Sequence, residues 1–556
     1  MREIDRLTTD RFGVPSLTLM ENAAAAVARA VVNALSGNVA SRSLLIFCGK
    51  GNNGGDGAAA GRLLATAGAR VDLVLIGRID ETKGDARVNF DLAKTWKEAE
   101  AQVSAITESG LINLFECDSE KGWEQLLASV LEAPHDAIVD ALFGTGLTRP
   151  VAGLHSEAID YINRQRSTRD APPPSTCPIV SVDIPSGLNS DSEQPIGATV
   201  QADLTVTMTA PKRANVVPPA SHFNGRLIVA EIGSPRELLD EANSDLFLTE
   251  EHDARRWLIE TRYTPESYKN THGHALIIAG SRGFTGAAAL CGNAAMRAGA
   301  GLVTVATPAS AQPLVATQVM PEVMTTALAE TDRGAVTDEA IDYAQRFAER
   351  ADVVALGPGL SSEDERTRKF VCAVVERRRT AVVIDADGLN CLAPWPNELR
   401  GSDDLPIVLT PHPGEMLRLL GVEDKSALND RVATARAFAT DHHVILLLKG
   451  SRAIIAAPDG RVFINATGNA GLGTAGAGDT LTGVITGCIA QAAAYLVAKG
   501  NERVTALEAI IAAVYISGLA GDFAAQELGM RAMVASDIRE HLSAGFRSLD
   551  PSGERP

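Results

Sequence analysis

The chain places its carboxylates and glycines where short apolar runs stop. Leu44 to Phe47 runs into Gly49-Lys-Gly-Asn-Asn-Gly-Gly-Asp-Gly57, Ala137 to Val139 into Asp140-Ala-Leu-Phe-Gly-Thr-Gly146, and Ile179 to Val182 into Asp183-Ile-Pro-Ser-Gly187. Asn52, Asn53, Asp56, Asp140, Asp183 and Ser186 offer oxygen and amide groups that can surround a polar substrate, with few thiolates or imidazoles among them. Such an oxygen-rich set suits a hard cation, and one of its carboxylates can take and return a proton. The same aspartates could instead cap helix N-termini, a common task at strand ends. Gly49 to Gly54 fits G-x-G-x-x-G, yet a dinucleotide site would place an acid at the end of the next strand, and Asp72 stands near that strand's start.

A second set lies more than 400 residues on, in Gly471 to Gly483, where Gly476-Ala-Gly-Asp479 opens a long apolar segment. Free amides at a helix N-terminus can stabilise a phosphate in transfer, and Asp479 is placed to take a proton from a hydroxyl. The other role for an acid in that turn is to complement the helix dipole. No G-x-x-x-x-G-K-[ST] stands nearby, so a P-loop is excluded. Upstream, Lys449-Gly-Ser-Arg-Ala453 and Thr410-Pro-His-Pro-Gly-Glu415 each end an apolar run, and the flanking prolines hold His412 in a rigid loop. His272, His274, His442 and His443 form no metal-ligand spacing and read as loop or surface residues.

The elements that must position these groups follow from periodicity. Leu17, Met20, Ala24, Val27, Val31 and Leu35 mark one helical stripe, and the first glycine turn, a helix to about Gly68 and the run Val71 to Ile76 complete a βαβ unit. Leu204 to Met208 and Leu227 to Val229 add strands, and Pro172 to Pro174 reads as a surface loop. In open parallel sheets, ligands sit outside the carboxyl ends of strands, so the first three loops should line one crevice. Periodicity fades over 236–261, expected as a linker. A second α/β series then runs through Ala275 to Ala279, Leu302 to Ala306, Val353 to Leu356, Ala381 to Ile384, Ile407 to Leu409 and Val444 to Leu448. The fold expected is α/β throughout, with two doubly wound sheets.

A length of 556 residues requires more than one core. The net charge of −18 opposes wrapping of nucleic acid or anionic membrane, so any phosphate must be held by local amides and a few cations. Seven scattered cysteines without a C-x-x-C pair, and an N-terminus without an apolar signal core, point to reduced thiols in the cytoplasm. Leu481 to Ala498 and Ala506 to Ala525 approach bilayer-spanning length, but their Ala/Gly content and internal Gln491, Glu508 and Asp522 mark buried core helices.

Together, Leu19-Met-Glu-Asn22, Gly51 to Gly57, Asp140 to Gly146 and Val182 to Gly187 resemble the NAD(P)H-hydrate epimerases over 1–235. The resemblance implies a Rossmann-like domain whose hydrated nucleotide meets Asn52, Asn53, Gly54, Gly55 and Asp56, the loop Gly144, Thr145, Gly146, Leu147, Thr148, Arg149 and Pro150, and Asp183. It assigns potassium to Asn53, Asp140 and Ser186. Asp183 is the candidate proton shuttle for exchange of configuration at C6 of the damaged nicotinamide ring.

Residues 262–545 resemble the ADP-dependent NAD(P)H-hydrate dehydratases of the ribokinase-like superfamily, through Gly357-Pro-Gly359, Asp385-Ala-Asp387, Pro411 to Glu415, Lys449-Gly450 and Gly476 to Asp479. That resemblance places the adenine nucleotide on Lys449, Gly450, Ser451, Arg452, Ala453 and Gly478, and the hydrate on Ala287, Gly359, His412 and Asp479. It implies phosphorylation of the C6 hydroxyl with ADP and magnesium, Asp479 acting as base, then loss of phosphate. The expected product set is NAD(P)H, AMP and phosphate from the S hydrate, after the first half has interconverted the R and S forms. A homo-oligomer with hydrated NADH or NADPH as its substrate, and no nucleic-acid or membrane partner, is expected. Two rivals remain open: a ribokinase-like small-molecule kinase fused to an unrelated nucleotide binder, and a first half that serves only as a binding scaffold, as in messenger-RNA decapping factors.

Overall fold

Short apolar strands alternate with helices twice along the chain, and each series closes its own sheet. The computed structural model describes residues 1–103, 110–167, 177–242, 244–499 and 504–550. Pro172 to Pro174 lie outside the described residues. The chain divides into two compact units, Met1–Asn243 and Ser244–Pro556.

In the first unit the strands are β1 (Ser43–Cys48), β2 (Arg70–Ile76), β3 (Ile112–Cys117), β4 (Ala137–Ala141), β5 (Ile179–Val182), β6 (Leu204–Met208) and β7 (Arg226–Ala230). They form a sheet of order β3-β2-β1-β4-β5-β6-β7, parallel at every pairing. Strand order reverses between β1 and β4, and the crevice that opens at such a reversal is where a ligand fits. Leu44, Leu45, Ile46 and Phe47 are wholly buried, as expected for a central strand covered on both faces. The stripe beginning at Leu17 forms the helix Ser16–Ala34, and a further helix, Arg2–Phe12, precedes it. Charged residues dominate that first helix, so apolar periodicity did not reveal it.

The second unit holds β8 (Leu246–Leu248), β9 (His274–Ile278), β10 (Leu302–Pro308), β11 (Met324–Leu328), β12 (Val353–Leu356), β13 (Ala381–Ile384), β14 (Ile407–Leu409), β15 (Ile445–Leu448), β16 (Ile454–Ala456) and β17 (Val462–Ile464). The sheet order is β11-β10-β9-β12-β13-β14-β15-β16-β17-β8, parallel from β11 to β15 and antiparallel through β16 and β17. Its reversal falls between β9 and β12.

Residues 236–261, expected as a linker, contain the boundary between the two units after Asn243 and carry short regular elements on either side of it. The helix Arg236–Asp240 belongs to the first unit, where neighbouring Glu241 pairs with Arg11 at 2.5 Å. β8 pairs with β17, and the helix Glu251–Glu260 packs on the helix Ala506–Leu528 of the second unit. A three-residue edge strand amid charges carries too short a pattern to read from sequence.

Ala506–Leu528 is long and apolar enough to cross a membrane, but 72% of its most apolar window is buried. Ile510 and Ile516 from it join Val484 and Ile489 of the helix Ala477–Lys499 in the second unit's core. His272 corrects its reading as a loop or surface residue: it is buried at 3% exposure and stacked on Tyr263 at 3.9 Å. His274 opens β9, with its ring against Arg350 O and Thr304 Oγ1. Asp72 meets Asn113 and His135, a structural role away from any ribose.

Candidate active site

The loops after β1, β4, β5 and β6 and two N-terminal helices enclose a cavity of about 560 Å³ in the first unit. Asn52, Asn53, Asp56, Gly144, Thr145, Gly146, Leu147 and Asp183 line it. Gly54 and Gly55 lie beneath: a Cβ on Gly54 would stand 1.8 Å from Gly49 O, so the loop can turn this tightly only with glycine there. Thr148, Arg149 and Pro150 are not part of its wall.

Asp183 is held by both its backbone and its side chain. Its φ of 67° puts a non-glycine residue in the left-handed region, a strain that recurs at functional sites. Lys212 Nζ donates to Asp183 Oδ1 at 2.5 Å, to Thr207 Oγ1 at 2.9 Å and to Met208 O at 3.0 Å. Lys212 was missed in the sequence, although Thr209-Ala-Pro-Lys212 follows β6 as the other functional loops follow their strands. Asp5 and Arg2, from the helix Arg2–Phe12, also line the cavity. Burial drives the Asp56 carboxyl well above its ordinary range, and Asp183 and Asp5 add to the rise.

Asp140 and Ser186 lie under the cavity, fully buried. Asp140 accepts from Ser181 Oγ at 2.8 Å, from Ser186 N at 2.9 Å, from Ser186 Oγ at 2.5 Å and from Leu142 N at 3.3 Å. Burial still raises its carboxyl above the usual range, against the pull of these donors. Asp140 ties the β4 and β5 loops together instead of capping a helix. Asn53 Oδ1 and Asp183 Oδ2 converge on Gly144, 3.1 and 3.3 Å from where a Cβ would stand, while Asn53 Nδ2 is buried and meets no hydrogen-bond partner among the described residues. Asp140 and Ser186 are in contact, whereas Asn53 Oδ1 lies with Asp183 Oδ2; the three would offer a carboxylate, a hydroxyl and an amide oxygen, donors of the kind that suit a hard cation.

In the second unit the candidate groups again follow the carboxyl ends of strands. Lys449, after β15, lies 2.7 Å from Asp385 Oδ1, after β13, and 3.9 Å from Glu415 Oε2. Thr482 Oγ1 donates to Asp385 Oδ2 at 2.7 Å. Burial pushes the Lys449 ammonium down, but Asp385 and Glu415 outweigh it and hold its pKa above the ordinary value. Ala386, between Asp385 and Asp387, has φ 48° and ψ −118°, a second strained non-glycine residue at a strand end.

Gly478 faces this pair, since a Cβ there would stand 3.4 Å from Lys449 Nζ. Asp479 follows in the first turn of Ala477–Lys499, and burial, aided by Asp385, raises its carboxyl to about 6. Among the described residues no hydrogen bond engages that carboxylate, which leaves it open to a metal-bound phosphate or a hydroxyl.

His412 caps the helix Pro413–Leu420 with its ring: Nδ1 accepts from Gly414 N at 3.0 Å and Glu415 N at 3.3 Å, so the proton resides on Nε2. Gly359 meets Ala287, whose Cβ would be 3.1 Å from a Cβ on Gly359. Gly450, Ser451, Arg452 and Ala453 lie in the turn between β15 and β16, with Arg431 on Ser451 O and Arg452 on Ala466 O. The structure therefore clusters Lys449, Gly478 and Asp479, and separately Ala287 with Gly359. Asp385, Glu415 and Thr482 are the members to which sequence reading gave no role.

Two doubly wound units, each with carboxylates gathered at the carboxyl edge of its sheet, give the class of the protein as a two-domain α/β fold with a candidate site in each half. A family model described as NAD(P)H-hydrate dehydratase matches residues 275–544, and one described as YjeF-related protein N-terminus matches 16–214. The bifunctional NAD(P)H-hydrate repair enzyme Nnr of Moorella thermoacetica is 40% identical over 100% of this chain and 97% of its own. The enzyme of the same name from Escherichia coli is 32% identical over 89% of this chain and 84% of its own. Among solved structures, an ADP/ATP-dependent NAD(P)H-hydrate dehydratase from Bacillus subtilis is 28% identical, covering 55% of this chain and 99% of that one at a TM-score of 0.46. The chain belongs to the bifunctional NAD(P)H-hydrate repair enzymes, which join an epimerase to a dehydratase.

Proposed function

We propose that the first cavity interconverts the R and S hydrates of NADH or NADPH, and that the second site returns the S hydrate to the intact cofactor at the expense of ADP. The observation that carries this reading is the contrast between Asp183 and Asp479. Asp183 is ion-paired inside a cavity, suited to moving a proton without any phosphate. Asp479 has an open carboxylate in the first turn of a helix, beside a buried lysine, suited to phosphoryl transfer.

In the epimerase, Asp183 exchanges a proton with the group at C6, and Asn52, Asn53, Asp56 and Gly144 to Leu147 hold the nucleotide. Asn53, Asp140 and Ser186 would hold potassium, which supplies a fixed positive charge to the nucleotide. In the dehydratase, Asp479 accepts the C6 hydroxyl proton as that oxygen attacks the terminal phosphoryl group of ADP. Lys449 and the Gly478 amide stabilise the transferred charge, and AMP leaves. Magnesium arriving with ADP, together with the amides of Gly476 to Gly478, would neutralise charge on the phosphoryl oxygens and leave Asp479 to act as base. Loss of phosphate from C6 then restores the ring double bond. His412, Gly359 and Ala287 form the hydrate side of this site. A cytoplasmic location is in keeping with scattered cysteines that form no disulfide among the described residues, and assembly as a homo-oligomer is part of the same proposal.

The test supplies mixed R and S hydrate with ADP, or with ATP, and follows the return of reduced-nicotinamide absorbance. Full recovery supports both activities. Recovery of one epimer's share alone removes the epimerase assignment, and no recovery with either nucleotide removes the dehydratase assignment.

A further inference from the structure

Asp5, on the helix Arg2–Phe12, stands in the wall of the cavity that holds Asp183 and Lys212. Its Oδ1 is buried and meets no hydrogen-bond partner among the described residues. Leaving a buried polar atom unsatisfied is costly, and folded proteins rarely accept it without a task for the group. Burial also raises the Asp5 carboxyl above the usual range, outweighing nearby cations that include Lys212.

We propose that Asp5 is a second acid–base residue of the epimerase, exchanging one proton with the hydrated ring while Asp183 exchanges the other. The proposal rests on the reading of this cavity as the epimerase site. C6 carries both the hydroxyl and ring nitrogen N1, so its configuration is lost when the C6–N1 bond opens. Asp183 accepts the hydroxyl proton, the O–H electron pair becomes the second C–O bond of an aldehyde, and the C6–N1 pair leaves to nitrogen. Asp5, in its acid form, gives N1 the proton it then needs. Rotation about C5–C6 presents the other aldehyde face, and the reverse steps close the ring and return each carboxyl to its starting form. Atoms and charge balance with no oxidant, reductant or co-reactant. Asp183, anchored by Lys212, would otherwise have to serve oxygen and nitrogen in the same step, since Asp56 on the same wall is taken up in holding the nucleotide.

The full-length protein is given pure R hydrate without ADP, and conversion to the S form is followed by proton NMR. Dehydration of S hydrate with ADP serves as the folding control. Asp5→Asn should lower the epimerisation kcat about 10²–10⁴-fold, the range for loss of a general acid–base group. KM should stay within about threefold of the parent, since the loss is confined to the transition state. Asp5→Glu should recover part of the rate, and formate added to Asp5→Ala should do the same, which a purely structural role would not allow. A kcat for Asp5→Asn within about threefold of the parent overturns the proposal, as does a loss wholly in KM. So does a low kcat that neither Asp5→Glu nor formate raises, or one matched only by Asp56→Asn. If the unaltered protein fails to interconvert the epimers, the reading of the cavity falls first.

Discussion

Lys449 Nζ lies 2.7 Å from Asp385 Oδ1, and the Thr482 hydroxyl holds the other oxygen of the same carboxylate at 2.7 Å. Asp385 is buried at 1% exposure. It therefore fixes the one lysine that faces Gly478 at the start of the long helix. Asp385→Ala would leave Lys449 with Glu415, at 3.9 Å, and the more weakly coupled Asp479 as counter-charges. A stability loss of about 3 kcal/mol is expected from breaking a buried pair, measurable by denaturant unfolding of the second unit. Weaker ADP binding, read by calorimetry on Asp385→Asn, should accompany it.

Asp479 works as a base only when ionised. With its carboxyl raised to about 6, dehydration should fall about tenfold per pH unit below that value and level off above it. Asp479→Asn should abolish dehydration and leave epimerisation intact. A pH–rate profile with saturating S hydrate and ADP checks the first expectation, and retained dehydration in the variant would refute the base assignment.

Asp183→Ala should abolish interconversion of the epimers while dehydration of S hydrate continues. Lys212→Met should act through Asp183: loss of the 2.5 Å bridge frees the carboxylate from its position, and kcat should drop about 10²-fold with a smaller change in KM. Recovery in Lys212→Arg would separate positioning by charge from simple packing.

Gly54→Ala tests the first turn. A methyl group there would lie 1.8 Å from Gly49 O, a backbone atom that cannot swing aside. The expected cost is about 2–3 kcal/mol in the first unit together with loss of epimerisation, followed by thermal unfolding and the R-to-S assay. Wild-type stability in this variant would mean the turn opens more easily than its packing implies.

Potassium can be exchanged for choline. Epimerisation should slow and return on adding potassium, and Ser186→Ala should raise the concentration required, because that hydroxyl and Asp140 lie in contact. Identical rates in choline and potassium would remove the cation from the site.

The chemistry-bearing loops were legible because each follows a central strand with three to five buried apolar residues, a pattern that a single chain displays by itself. Strands β3 and β11 were not, since they lie at sheet edges with their faces half-exposed, nor were β8, β16 and β17, which span three residues each and carry too short a pattern. The helix Arg2–Phe12 was hidden for a related reason: only Ile4 and Thr8 of it are buried, too few to mark a stripe.

What the sequence determined alone was the inventory: two glycine turns, the aspartates beside them, Lys449 and His412, and an order of strands and helices that admits two doubly wound sheets. Tertiary structure decided which of these groups meet. Asp140 bonds to Ser186 and Lys449 to Asp385 because parallel pairing brings strand ends together across 46 and 64 residues. Lys212 reaches Asp183, and Asp5 reaches the same cavity, only once a loop and a helix fold over the sheet's edge. Periodicity reports which face of an element is buried, whereas a catalytic pair depends on distance through space, and that distance exists only after the sheet has closed.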